Sequence, residues 1–263
     1  SGVRSSWLMF ARNCDLARLA GSLLALAVAG FPATSFPAPQ TVEEIANYRG
    51  TDRQAILEAG ARKENASTAD EMLARTAADR LVYEPGRGWG YSNIGYYFVR
   101  RLIEQATDHT LGDALDHLVM EPLGIAGVRF AAERAHYSPD YDPRWVYHGL
   151  LVGPLEQAAL LLQRLMLGDL LPPPLLSAMC NRYLLGGPIA DRPWKTPSYG
   201  LGLMIGETTG GELIAGHTGG GPGSAIAVYH ALDQPTGTAA AFAAGGDDAV
   251  VEDACVTLLR TRP

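Results

Sequence analysis

Two polar triplets in the 263-residue sequence have residue types that suit a catalytic or binding site. The first, Tyr91, Ser92 and Asn93, follows the glycine-rich stretch 84–90 and directly precedes an amphipathic run at 94–106. Glycine and proline hold such a stretch in a tight path, so the triplet is predicted at a loop-to-helix junction. Side chains there are exposed yet held by a rigid element, which suits chemistry. The structural alternative is that Ser92 or Asn93 only caps the helix.

The second triplet, His217, Thr218 and Gly219, lies in the glycine-rich stretch 215–224, between two β-like runs. Together the triplets resemble the second and third motifs of the penicillin-recognising serine hydrolases. The relevant branch holds class C β-lactamases, D-alanyl-D-alanine carboxypeptidases and related esterases. Its middle motif is Tyr-x-Asn, and its last is Lys-Thr-Gly or His-x-Gly. Three further stretches resemble the spacers of the family, in the usual order: Glu-Pro-Gly at 84–86, Glu-Pro-Leu-Gly at 121–124 and Tyr-Gly-Leu-Gly at 199–202.

The resemblance extends from about residue 47 to the C-terminus and implies a role for each triplet. Tyr91 would lie near the attacking and leaving atoms, and Asn93 would hold either the substrate amide or the lysine of the family's first motif, which is missing here. A phenol has an ordinary pKa of about 10, so Tyr91 would need nearby cations to carry negative charge. His217 stands in place of a lysine and would donate a hydrogen bond or carry a part-time charge. A surface histidine at a strand end is the structural alternative.

The resemblance also gives Thr218 and Gly219 a substrate-binding role. Both would lie on a strand edge, where a backbone amide normally forms half of an oxyanion hole. The other half comes from the amide of the nucleophile itself, which these motifs do not identify.

The first motif of the family, Ser-x-x-Lys, places a nucleophile and its base one helical turn apart. Neither lysine of the sequence, Lys63 or Lys195, has a serine three residues before it. Ser1 is the only serine with a basic residue, Arg4, at that spacing, and an arginine stays protonated and cannot act as a base. We therefore expect 1–46 to be a degenerate nucleophile region, truncated, rearranged or frame-shifted.

Composition excludes several classes of function. A formal net charge of −7 and a pI near 5.4 argue against a nucleic-acid partner. The three cysteines are too few and too scattered for a disulfide framework or a metal site. The glycines at 219–223 lack the register of a phosphate-binding loop, so no nucleotide cofactor is expected. The histidines outside the second triplet lack metal-ligand spacing with any carboxylate, so no metal is expected either.

The sequence pattern predicts an α+β fold, an antiparallel sheet flanked by helices with a helical lobe. Three segments are expected: the atypical 1–46, a mainly helical 47–198 that carries Tyr-Ser-Asn, and 199–263 with antiparallel strands, a C-terminal helix and His-Thr-Gly. The sheet of the family has two further strands before the nucleophile helix, which are expected to be missing here. An uncovered sheet edge would favour self-association. Strands are predicted at 201–207, 212–217, 225–230 and 237–243.

Two predicted helices carry apolar faces expected to pack into the core. The first helical face is Ile94, Phe98, Val99, Leu102, Ile103 and Ala106, and the second, on the closing helix 247–260, is Val250, Val251, Ala254, Leu258 and Leu259.

Two loops are predicted as well. One is a polar surface loop at 132–145, and the other contains Lys195.

The resemblance implies a hydrolase that opens a lactam, peptide or ester bond of a small-molecule or peptide substrate through an acyl-serine intermediate. Two alternatives stay open, a non-catalytic relative that binds a peptide or amide ligand, and an inactive remnant. By analogy with the family, the protein would be exported or periplasmic. The apolar run 17–31 is too short to span a bilayer and is interpreted as a buried helix or a signal-peptide core.

Overall fold

A computed structural model describes residues 69, 71, 73, 81, 83–84, 86–131, 146–221, 224–233, 237–245 and 247–261. The chain divides into two compact units, one of 1–12 with 78–263 and one of 13–77. Three described residues, all helical, fall in the second unit. Ser1, the segment 1–46 and the predicted loop 132–145 lie outside the described residues.

The first unit is built on an antiparallel sheet whose spatial order follows the chain, β3-β4-β5-β6-β7-β8. Each strand pairs with the next through a short connection, so the sheet is a meander. A separate antiparallel pair joins β1 (Arg129–Phe130) to β2 (Leu151–Val152). The strands of the main sheet are β3 (Tyr183–Leu184), β4 (Trp194–Tyr199), β5 (Met204–Thr208), β6 (Leu213–Gly221), β7 (Ser224–Ala231) and β8 (Thr238–Ala244).

Helices cover both faces of this sheet, which confirms the predicted α+β class. The last helix, Asp248–Arg260, packs on β6, β7 and β8 from one face, and the helix Leu155–Leu167 packs on β7 and β8 from the other. Because strand residues alternate between faces, Ile214 of β6 clusters with the last helix and Ala215 with Leu162 on the other face. The helices are α1 (Asn93–Thr107), α2 (Leu111–Leu115), a π-helical turn (Asp116–Met120), α3 (Leu155–Leu167), α4 (Pro173–Cys180) and α5 (Asp248–Arg260).

The prediction that the aliphatic stripe of α1 forms core is wrong. Phe98, Val99 and Leu102 are 44–63% exposed, and no residue of α1 is buried. The half-buried face carries polar anchors instead. Tyr96 hydrogen-bonds Tyr199 at 2.9 Å, and Arg100 donates to the carbonyl of Tyr147 at 3.0 Å. The helix is thus oriented by hydrogen bonds toward the sheet rather than by its most apolar side chains.

The buried face of α5 also differs from the predicted one. Val250 and Leu258 are about half exposed, while Val251 and Leu259 are buried as predicted. An acidic side chain, Glu252, is fully buried on this face. It is tolerated because it is paired and hydrogen-bonded inside the core. The buried residues of α5 are Val251, Glu252, Cys255, Val256 and Leu259.

The predicted loop around Lys195 is wrong as well, because this segment forms β4. Lys195 lies on that strand, where its Nζ contacts Glu207 Oε1 on β5 at 2.7 Å. The sheet therefore begins before residue 199, earlier in the chain than the expected antiparallel segment.

Gly216 gives the first testable prediction, since it lets β6 approach β7 closely. A Cβ there would lie 1.9 Å from the carbonyl oxygen of Val228, a backbone atom that cannot move aside. We expect Gly216→Ala to lower the free energy of unfolding by about 1–3 kcal/mol or more through overpacking, measured by urea denaturation. Gly187→Ala is the matched control, because a Cβ at Gly187 meets nothing within 4 Å. Equal stability of the two variants would contradict this prediction.

Candidate active site

The N-terminus of α1 shows which residue of the first triplet caps the helix. Ser92 has extended backbone angles, φ −148° and ψ 118°, and its hydroxyl accepts a hydrogen bond from the amide of Gly95 at 3.1 Å. It is therefore the N-cap, which the sequence left open between Ser92 and Asn93. Tyr91 donates its hydroxyl hydrogen to Asn93 Oδ1 at 3.1 Å. The cap thus holds two neighbouring polar side chains beside each other.

A second prediction tests whether Ser92 acts only as the N-cap of α1. We expect Ser92→Ala to cost about 1 kcal/mol of stability, because the amide of Gly95 loses its acceptor. Ser92→Gly should cost only a few tenths of a kcal/mol, since glycine is an acceptable cap. Thermal unfolding measures both. Labelling of the protein by a serine-reactive probe should persist in both variants, and its loss would show that Ser92 does more than cap.

His217, on β6, has both ring nitrogens engaged. Its Nδ1 lies 2.7 Å from the carbonyl oxygen of Thr218, and its Nε2 lies 2.7 Å from the hydroxyl of Tyr199. A carbonyl only accepts, so Nδ1 carries the hydrogen, and in the neutral ring Nε2 accepts from Tyr199. The hydroxyl of Tyr199 lies in turn 2.9 Å from that of Tyr96 on α1.

The two triplets meet in a cluster of aromatic rings. The ring of Tyr91 lies 6.4 Å from that of His217, 5.6 Å from Tyr96 and 6.0 Å from Tyr199, measured between centroids. Trp89 packs on Tyr199 at 5.1 Å. The structure therefore brings Tyr91, Asn93 and His217 together, across more than 120 residues of chain.

Burial sets the charge state of this cluster. It lowers the pKa of His217, and the nearby Arg192 guanidinium lowers it further, against the Thr218 carbonyl and the Glu252 carboxylate, which raise it. Burial likewise raises the pKa of Tyr199 and that of Tyr96. At neutral pH these three groups are uncharged, so burial opposes the part-time charge expected for His217.

The second half of β6 has an open edge in the described part of the chain. The pairing with β5 covers 213–216, whereas the pairing with β7 continues to Gly221. Backbone groups of an antiparallel strand alternate between its two neighbours. Leu213 accepts from the amide of Leu232, on the β7 side, and Glu212 accepts from the amide of Thr208, on the β5 side. By this alternation the backbone groups of Thr218 and Gly220 face the open edge.

The two predicted substrate-binding residues are placed differently. By the same alternation, the backbone groups of Gly219 face β7, where its register partner is Ile226. The side chain of Thr218 points to the α5 face, where its hydroxyl donates to Glu252 Oε1 at 2.6 Å. It also contacts the hydroxyl of Tyr229. A contact of Thr218 with a substrate at this edge would therefore use its backbone.

Sequence reasoning missed several members of the cluster. Tyr199 was visible only as the first residue of a family-like spacer, Tyr-Gly-Leu-Gly, and Tyr96 only as an aromatic residue of α1. Gly220 follows directly after the second triplet and could have been found from the strand alternation. Glu252 gave no signal, because a carboxylate on an amphipathic helix is normally solvated.

Comparison with known proteins agrees with this architecture. A family model described as Beta-lactamase matches residues 33–254. The chain belongs to the β-lactamase family. Within it, the sequence is 37% identical over 73 residues to esterase EstB from Burkholderia gladioli, a match that covers 27% of this chain and 18% of that protein.

Solved structures similar to this β-lactamase family member include amidases and a penicillin-binding protein homologue. A D-stereospecific amidohydrolase from Streptomyces sp. matches with a TM-score of 0.60 and 21% identity, over 78% of this chain and 65% of that one. The D-amino acid amidase of Ochrobactrum anthropi SV3 matches with 0.59 and 19%, over 75% and 63%. The octameric penicillin-binding protein homologue of Pyrococcus abyssi gives 0.60 and 18%, over 81% and 53%. This chain thus spans less than two thirds of each of these proteins.

The described residues include neither a helix suited to span a membrane nor a metal-binding cluster. No helix among them has the length and apolar composition to cross a membrane. No group of three or more His, Cys, Asp or Glu side chains in that part of the chain is arranged to hold a metal ion.

Proposed function

We propose that this chain hydrolyses ester, amide or lactam bonds of small-molecule or peptide substrates through an acyl-serine intermediate. The observation that carries the proposal is the convergence of Tyr91, Asn93 and His217 beside the open edge of β6. These groups come from two sequence-distant elements, and a purely structural cluster has no need of a strand edge that is unpaired within the described part of the chain. Membership of the β-lactamase family supports the same chemistry.

The strand edge is suited to hold the substrate. The amides of Thr218 and Gly220 face outward, so they can donate to a carbonyl oxygen that becomes negative in the transition state. Asn93 accepts from Tyr91 through Oδ1, which leaves its amide hydrogens to donate to a substrate carbonyl. The substrate would lie along the edge, with Tyr91 above its reacting bond.

In acylation the serine oxygen bonds to the carbonyl carbon and the bond to the leaving alcohol or amine breaks. Tyr91 takes the serine proton and gives a proton to the leaving group. Water then attacks the acyl-enzyme, and the same transfer in reverse restores the serine. His217 would position the strand edge and polarise the cluster. The nucleophile is sought among the serines outside the described residues, of which Ser1 is one.

A second candidate function, ligand binding without catalysis, is favoured by the lysines. The family uses a lysine next to its serine, yet Lys195 is paired with Glu207 at 2.7 Å on the sheet surface. Lys63 lies outside the described residues and has glycine three positions before it. A non-catalytic relative would keep the cleft and bind a peptide or amide. An exported or periplasmic location and self-association through a sheet edge are further proposals for either function.

Intact-mass spectrometry after incubation with a fluorophosphonate, and separately with a fluorescent penicillin, tests the proposal. The expected result is one adduct per chain, and peptide mapping then names the serine that carries it. Circular dichroism and a cooperative thermal transition must first show that the protein is folded. An adduct with the fluorophosphonate alone favours an esterase or amidase. Folded protein with no adduct supports the binding function and contradicts the hydrolase.

A further inference from the structure

We infer that Tyr199 is a positioning residue of this site, which engages Nε2 of His217 and relays the protonation state of that ring to Tyr96 on α1. The inference concerns the site of the proposed hydrolase and rests on that proposal for its bearing on catalysis. The relay itself does not require turnover.

The direction of each hydrogen bond in neutral protein follows from the acceptor at one end. The carbonyl of Thr218 can only accept, so Nδ1–H of His217 donates to it at 2.7 Å. The lone pair of Nε2 must then accept the hydroxyl hydrogen of Tyr199, also at 2.7 Å. The oxygen of Tyr199 accepts in turn from the hydroxyl of Tyr96 at 2.9 Å. The three hydrogen bonds thus run in one direction, from Tyr96 through Tyr199 and His217 to the carbonyl of Thr218.

Burial restricts the hydroxyl of Tyr199 to these two hydrogen-bond partners. Tyr199 is only 7% exposed, so its hydroxyl has little access to solvent as an alternative partner. Trp89 packs on its ring at 5.1 Å, and the ring of Tyr91 meets it edge-on at 6.0 Å. The tyrosine is therefore held in place by two neighbouring rings. Its hydroxyl, rather than a nitrogen of His217, is the group that faces α1.

Protonation of His217 would reverse the relay without transferring a proton along it. Nε2 gains a hydrogen from solvent and becomes a donor, so Tyr199 must accept from it. The hydroxyl of Tyr199 then rotates to donate to Tyr96, whose own hydroxyl hydrogen must turn to another acceptor. One protonation event at β6 thus changes the hydrogen-bond direction at α1, next to Tyr91 and Asn93.

The charged and titratable groups around the ring are few in the described part of the chain. Glu252 on α5 and Arg192 before β4 act on it from the opposite face of the sheet, and they bind each other at 2.6 Å. On β7 the register partner of His217 is Val228, which is apolar. From α1 and the residues just before it, the facing groups are the phenols of Tyr96 and Tyr91. One other titratable ring, that of His148, lies 6.3 Å from Tyr96.

Nuclear magnetic resonance of the full chain tests the relay. With ¹⁵N-labelled histidine and ¹³Cζ-labelled tyrosine, the Cζ signals of Tyr199 and Tyr96 should titrate with the same midpoint as the ring of His217. In Tyr199→Phe the Nε2 signal of His217 should move downfield, toward the position of a nitrogen that accepts no hydrogen bond. The Cζ signal of Tyr96 should stop following His217. Tyr183→Phe, at an exposed tyrosine of β3, should leave every signal unchanged.

Two further variants keep the test decisive. His148→Gln removes the other titratable ring near Tyr96, and the shared midpoint of Tyr96 and His217 should survive it. In Tyr96→Phe, the signal of Tyr199 should still follow His217. Independent midpoints in the wild type, or an Nε2 signal that Tyr199→Phe leaves in place, would overturn the relay. Failure of the serine probes to label the protein would instead remove the hydrolase proposal and leave these signals untouched.

Discussion

Replacing Tyr91 with phenylalanine is expected to lower kcat/KM for a neutral p-nitrophenyl ester by about 10²–10⁴-fold, the usual contribution of general acid–base catalysis. The variant removes one oxygen atom and keeps the ring, so the packing against Tyr96 and Tyr199 survives. The hydrogen bond to Asn93 Oδ1 is lost, which should cost only about 1 kcal/mol of stability at this half-buried position. The expected result is therefore a folded protein with a much slower reaction.

Tyr97→Phe is the matched control, because Tyr97 lies on α1, close in sequence to Tyr91, and makes its ring contacts with Phe98 and Tyr147 rather than with the cluster. It should retain the wild-type rate. Initial rates over a range of ester concentrations separate kcat from KM, and the loss should fall on kcat if Tyr91 acts in the transition state. A Tyr91→Phe protein with the wild-type rate would exclude the proton-transfer role and leave Tyr91 as a wall of the cleft.

The sequence predicts the broad fold well because its strongest signals are local. The strand around Val228 and the closing helix lie close to their predicted bounds, whereas β6 extends to Gly221, beyond its predicted end at 217. β4 was missed because Pro197 within it is atypical of a strand, although its partners β3 and β5 are its neighbours in the chain. Tertiary pairing overrides local preference there.

The buried faces of the helices were harder to predict, for a different reason. A periodic apolar stripe shows that a helix has two sides, but it does not fix the rotation of the helix against its neighbour. On α1 the rotation follows Tyr96 and Arg100, whose partners lie 103 and 47 residues away in the chain. On α5 it follows Glu252, whose partner Arg192 lies 60 residues away. Long-range polar pairs of this kind leave no periodic trace in the sequence.

The candidate site likewise has residues that the sequence could predict and residues that it could not. Tyr91, Asn93 and His217 were predicted because the two triplets resemble motifs of a known family, although His217 lies within β6 and not at a strand end. The hydroxyl of Tyr199 and the outward amide of Gly220 depend on which strands pair and in which register. A shift of one residue in β6 would exchange the faces of His217 and Thr218. Register is a property of the folded sheet, so these contributions become visible only in the structure.

Replacing Glu252 with alanine is expected to destabilise the fold by about 3–5 kcal/mol, the range found when one partner of a buried ion pair is removed. Glu252 is fully buried, and its carboxylate binds Arg192 Nε at 2.6 Å, Thr218 Oγ1 at 2.6 Å and the hydroxyl of Tyr229 at 3.0 Å. Its loss leaves a guanidinium and two hydroxyls without this acceptor. Urea denaturation, with an unchanged m-value, measures the effect.

The physical cause can be separated from loss of side-chain volume. Glu252→Gln keeps the shape and an acceptor oxygen but removes the charge, so Thr218 keeps a partner while Arg192 loses its counter-ion. Arg192→Met combined with Glu252→Leu removes both charges and should recover much of the lost stability, because an apolar pair avoids the cost of a lone buried charge. If the loss of stability in the double variant equalled the sum of the losses in Arg192→Met alone and Glu252→Leu alone, the cause would lie in packing. Thr218 links Glu252 to the strand that carries His217. Glu252→Ala and Glu252→Gln should therefore also move the His217 ring signals, whereas Gly187→Ala should leave them unchanged.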